Sequence, residues 1–60
     1  MKYLVTVLRI LNDAPPKAIA AWTEDNEQAA SDAATVTVLH GYGDADGDEI
    51  AVNVVPVRVE

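Results

Sequence analysis

The sequence contains no cysteine, so neither a disulfide framework nor a thiolate metal site can supplement the core of whatever it folds into. For a chain of 60 residues that is a severe restriction. A domain this small buries only about 60% of the surface its unfolded chain exposes, which leaves a thin margin of stability and makes one domain over residues 1–60 the ceiling. Hydrophobic residues make up 50% of the chain, well above the content of a disordered acidic tail, so a folded core is expected.

Lys2 to Leu11 is rich in Val, Leu and Ile and is bounded by Asn12-Asp13-Ala14-Pro15-Pro16, the composition of a strand followed by a loop. Lys17 to Thr23 carries Ile19 and Trp22 and is too short for a helix, so it reads as a second strand, hairpin-paired with the first. A helix is expected from Glu24 to about Leu39. Thr23 or Asp25 offers a cap, Gln28 three residues after Asp25 offers a capping box, and Ala29, Ala30, Ala33 and Ala34 form a small-residue stripe at helical spacing. Gly41 suits its C-cap. The run Thr35-Val36-Thr37-Val38 also fits a strand, so β-β-α-β-β stands as the alternative to β-β-α-β. Asp44 to Asp48 reads as a turn and Glu49 to Val59 as the last strand, which Pro56 confines to a sheet edge or a bulge. The fold class expected is α+β, a small antiparallel sheet with one helix packed on one face through Ala30, Ala33 and Ala34.

Neither terminal strand has a polar face. Leu4, Leu8 and Ile10 oppose Tyr3, Val5 and Val7 in the first, and Ile50, Val52 and Val54 oppose Val55, Val57 and Val59 in the last. One helix covers one face of a sheet. The other face would expose β-branched surface of the kind that marks an interaction site, and a homodimer is one way to bury it.

The formal net charge is −6, and its distribution matters more than its size. Lys2, Arg9, Lys17 and Arg58 sit towards the ends of the sequence, while the interval from 18 to 57 contains no Lys or Arg. Direct binding of nucleic acid or of an anionic membrane is disfavoured, because both draw their affinity from basic residues, and a protein partner with a basic surface is favoured instead. The contact set expected is Glu24, Asp25, Glu27, Asp44, Asp46, Asp48 and Glu49, with Trp22 as an aromatic anchor. Lys2 followed by an apolar run imitates a secretion signal, but Arg9 and Asp13 interrupt it, so a cytoplasmic location is expected.

No motif points to catalysis or to a cofactor. Asp44-Ala45-Asp46-Gly47-Asp48-Glu49 matches the first ligand positions of a calcium loop, but Glu49 falls where the loop needs Gly and Val55 where it needs a bidentate Glu. A calcium-responsive domain is therefore a minor alternative to a plain polar turn. Gly41-Tyr42-Gly43 cannot cradle a phosphate among three aspartates. The sole serine, Ser31, and the sole histidine, His40, stand nine residues apart, about 180° apart on a helix, and cannot form a catalytic pair there. The chain reads as a non-enzyme without metal or cofactor.

Lys2-Tyr3-x-Val5-x-Val7, Ile19-x-Ala21, the run Thr23-Glu24-Asp25-Asn26-Glu27-Gln28-Ala29-Ala30, Gly41-Tyr42-Gly43-Asp44 and the closing valine-rich strand together resemble small bacteriophage and prophage accessory proteins. The likeness spans nearly the whole chain, with Thr35 to Val38 departing from the usual Ala, Leu and Glu. It implies a compact protein that acts in the host cytoplasm, binding and inhibiting a host protein such as a CRISPR effector, a restriction factor or a nucleic-acid enzyme.

Overall fold

A computed structural model describes residues 1–58. Strands β1 (Lys2–Arg9) and β2 (Lys17–Glu24) precede helix α1 (Glu27–His40), a short 3₁₀ turn (Gly47–Glu49) and strand β3 (Ile50–Val57). The sheet is antiparallel in the order β2-β1-β3, so the β-β-α-β layout holds and 35–42 form no fourth strand. The apolar strand β1 is central and β2 and β3 form the two edges. β3 is an edge strand, as Pro56 requires; it is shorter than the expected Glu49 to Val59, since Glu49 closes the 3₁₀ turn and Arg58 lies past the strand, while Val59 falls outside the described residues.

Side chains alternate across a strand, and Val5 and Val7 are fully buried, which fixes the helix-facing side as Tyr3, Val5 and Val7. Register places Trp22 and Ala20 on that side of β2, and Val52 and Val54 on that side of β3. The β1–β2 pairing slips between Val7 and Leu8, where Ala20 and then Ala18 are the partners, so Ile19 is the extra residue of a bulge. The bulge lets Ile19 and Ala20, neighbours in sequence, both pack on the core formed by Val7, Ala45 and Ile50.

The helix begins three residues later than expected. β2 runs on to Glu24, and the cap is Asn26, whose Oδ1 accepts the Ala29 N–H at 2.8 Å, so neither Thr23 nor Asp25 serves. Gln28 donates to Asp32 instead of closing a capping box. Ala30 is buried and Ala33 and Ala34 are half-buried, so the alanine stripe does face the sheet. Thr35 and Thr37 stay helical despite their β-branching because their hydroxyls donate to the carbonyls of Ser31 and Ala33, at 3.0 and 2.7 Å. Thr37 thereby enters the core with its polar atom satisfied. Gly41 ends the helix at φ 81, donating its N–H to the Thr37 carbonyl at 2.8 Å.

After the helix the chain folds back on itself. Tyr42 and Ala45 exchange two backbone bonds of 3.0 Å around Gly43, whose φ of 62 is the positive value a type II′ turn requires at its first central position. The turn buries Ala45 and covers the β2 side of the core, whereas α1 lies over β1 and β3.

Candidate functional site

The side of the sheet away from α1 has nothing packed on it among the described residues. Leu4 lies between Thr23 and Val55, Thr6 between Ala21 and Asn53, and Leu8 between Ala18 and Ala51. Three strands of eight residues give this face a footprint of about 27 by 14 Å. Leu4 with Val55 and Leu8 with Ala18 and Ala51 flank a central row of Thr6, Ala21 and Asn53, Val55 is 50% exposed, and among the described residues the face carries one charge, Lys2, which is held by Asp25 at 2.6 Å. Depletion of charge is one feature that distinguishes the middle of a protein interface from ordinary surface.

The acids lie around this face rather than on it. Lys2 opens β1 and pairs with Asp25, while Arg9 closes β1 and pairs with Asp44 at 3.4 Å. The two pairs are thus about 24 Å apart along the strand. Glu24, at the end of β2, accepts the Trp22 indole N–H at 3.2 Å, and Glu27 is the first residue of α1. Together with Asp25 they make one acidic end. Asp44, Asp46, Asp48 and Glu49 make the other, where the Glu49 carboxylate accepts the Asp46 N–H at 3.0 Å and stiffens the turn. Lys2 beside Asp25 holds that carboxyl below its ordinary value, through a hydrogen bond first and attraction second.

Trp22 points to the helix side of β2, not to the open face. Its ring packs on the core cluster and stacks on Tyr42. Ser31 and His40 both lie on α1 and project from opposite sides of it. Among the described residues no three or more His, Asp or Glu side chains converge to hold a metal ion, and no helix is long and apolar enough to cross a membrane.

A second feature escaped the sequence. Between α1 and β3 runs an open groove in two connected parts of about 590 and 290 Å³, with Ser31, Thr35 and Val38 on the helix side and Val52, Val54 and Pro56 on the strand side. Val38 and Leu39 stand exposed above it. The available signal was the apolar run Val36, Val38 and Leu39, which is too broad for the one face of a helix that a single sheet can cover. No family model, curated protein or solved structure matches the chain.

Proposed function

We propose that this chain is a small acidic protein-binding module that docks through the open face of its sheet, with the acids at the two ends orienting a partner of basic surface. The observation that supports this reading is the uncovered face itself, apolar at Leu4, Leu8 and Val55 and bordered by carboxylates. Apolar contact supplies the affinity, and the carboxylates supply on-rate and orientation. The likeness to phage accessory proteins gives such docking a use, inhibition of a host protein in the host cytoplasm. A carboxylate array beside a docked face can occupy a basic groove that otherwise holds nucleic acid.

Capture from a bacterial lysate at low and high salt tests the reading, with Val55→Glu as the comparison. Val55 is half exposed, so the substitution leaves the fold intact. A specific protein retained by the native chain and lost with Val55→Glu supports docking through this face. Equal retention by both chains overturns it.

A second reading, self-association, is favoured by a different observation, the free outer edge of β3 beside the exposed Val38 and Leu39. The two readings use different surfaces and are compatible.

A further inference from the structure

We infer that the α1/β3 groove is the seat of a second copy of this chain, joined edge to edge through β3 about a two-fold axis near Asn53. This rests on the self-association reading and assigns it a surface.

The backbone shows which groups are free. Ile10 donates its N–H to the Glu49 carbonyl at 2.7 Å, extending a register in which Arg9 faces Ile50 and Lys2 faces Val57. Bonded and non-bonded pairs alternate in an antiparallel ladder, so Leu8–Ala51, Thr6–Asn53 and Leu4–Val55 are the bonded pairs. The N–H and C=O groups of Ile50, Val52 and Val54 therefore point away from β1, out of the sheet edge. Pro56 falls in the same non-bonded set, where its missing N–H costs the ladder nothing.

That edge is complementary to itself. An axis at Asn53 sets Val52 opposite the partner's Val54 and Ile50 opposite the partner's Pro56. Val52 and Val54 then use both of their free groups, and Pro56 is asked only to accept. The sheet becomes six-stranded, and the open face described above continues across the axis at twice its width.

The helices fit the same operation. With α1 over β1 and β3 and strands about 4.8 Å apart, the two helix axes lie about 10 Å apart across the axis. Packed helices are separated by 8–10 Å. The facing stripe is Ser31, Thr35 and Val38 flanked by Leu39, which is 72% exposed in the single chain. Glu27 lies at the Pro56 end of the groove, and the two-fold places the two Glu27 carboxylates at opposite ends, beyond a Debye length of about 8 Å. Each Glu27 instead comes to the partner's Ile50 end, which Asp48 and Glu49 precede, so like charge opposes the contact and added salt should favour the dimer.

The accessible surface is 4294 Å² for a mass of 6.4 kDa, where a compact monomer shows about 3,800 Å², so the single chain leaves more surface uncovered than its mass requires.

Sedimentation equilibrium on the intact chain, from low to high micromolar concentration, tests the assignment with three variants. Val52→Pro deletes an N–H that β1 does not use but also alters a half-buried side chain packed on the core, whereas Leu39→Glu charges a side chain already in solvent, so circular dichroism verifies the fold of both and Leu39→Glu decides where Val52→Pro fails to fold. The native chain is expected to dimerise, both variants to lose the dimer, and Ala21→Glu, on the open face of β2 and two strands from the axis, to keep it. A native chain that stays monomeric throughout overturns both the site and self-association. A dimer that survives Val52→Pro and Leu39→Glu, or one that only Ala21→Glu dissolves, overturns the site while self-association stands.

Discussion

The rings of Trp22 and Tyr42 stack with centroids 6.3 Å apart and planes 18° apart, joining β2 to the turn that follows the helix. Through this pair the 42–45 turn is pressed onto the part of the core that α1 does not reach, and Ala45 is buried beneath it.

Tyr42→Leu keeps an apolar side chain over Ala45 but removes the stack. An aromatic pair of this kind contributes about 0.5–1.5 kcal/mol beyond its buried area, so a loss of about 1 kcal/mol is expected in urea denaturation followed by circular dichroism. Trp22→Leu should cost more, because the indole also packs on the core and donates to Glu24. A double-mutant cycle separates the stack from those other terms. Zero coupling would mean that the two rings only happen to be neighbours.

The three glycines should differ sharply in their tolerance of alanine. At Gly41 a Cβ would stand 2.4 Å from the Ala45 carbonyl oxygen, at φ 81, and at Gly47 it would stand 2.3 Å from the Val38 carbonyl oxygen. Both neighbours are backbone and cannot swing aside, so each substitution should cost about 2 kcal/mol or more. At Gly43 nothing lies within 4 Å, and only the positive φ of 62 opposes a side chain. Gly43→Asn, which tolerates that conformation, should be nearly neutral in thermal denaturation, and the order Gly41 and Gly47 above Gly43 is the result to check.

The Lys2–Asp25 pair gives stability a specific pH dependence. The folded Asp25 carboxyl titrates below its ordinary 3.8, so it contributes above that pH and the contribution is lost as pH falls through the lower folded value. Asp25→Asn should therefore be less stable than the native chain near neutrality and converge with it in acid. The carboxylate is fully exposed, so salt should shrink the difference. Melting curves across an acid pH series, with and without added salt, read this directly, and a difference that widens on acidification would contradict the sign.

Much of this fold was legible because alternating Val and Leu in β1 and β3, a Pro-Pro loop and a small-residue stripe at helical spacing are all local signals. The helix start was less so. Thr23, Asp25 and Asn26 are all acceptable caps, and only the pairing of Glu24 with Tyr3, which extends β2 past Thr23, selects Asn26. The helical state of Thr35 to Val38 depends on hydroxyls bonding back to Ser31 and Ala33, which β propensity does not register. The open face could be read from strands apolar on both sides. The α1/β3 groove could not, since it depends on where the helix sits across the sheet.

The acids pose the last question, whether they act as one surface or two. α1 has 14 residues and is about 21 Å long, and Glu24, Asp25 and Glu27 stand at its start while Asp44, Asp46, Asp48 and Glu49 follow its end. Lys2 and Arg9 tie one acid of each group to opposite ends of β1. Exposed charges that far apart exceed a Debye length of about 8 Å and are screened from one another. The four acids of the turn should also be the better placed for a partner, because they outnumber the three at the helix start and the bond between Asp46 and Glu49 holds their backbone, although Arg9 engages Asp44 as Lys2 engages Asp25 and Trp22 engages Glu24. Replacing Glu24, Asp25 and Glu27 by their amides should therefore weaken capture of a partner less than replacing Asp44, Asp46, Asp48 and Glu49. The second set should also flatten the salt dependence more, since rim charges act mainly on association rate. Amides keep the size of the side chain and one acceptor oxygen, so the comparison reads mainly charge. Binding of both variants to the partner recovered from lysate, measured over a salt series, decides the matter. Equal losses with equal changes in salt slope would mean one continuous acidic surface, and no loss from either would leave the apolar face as the only determinant of docking.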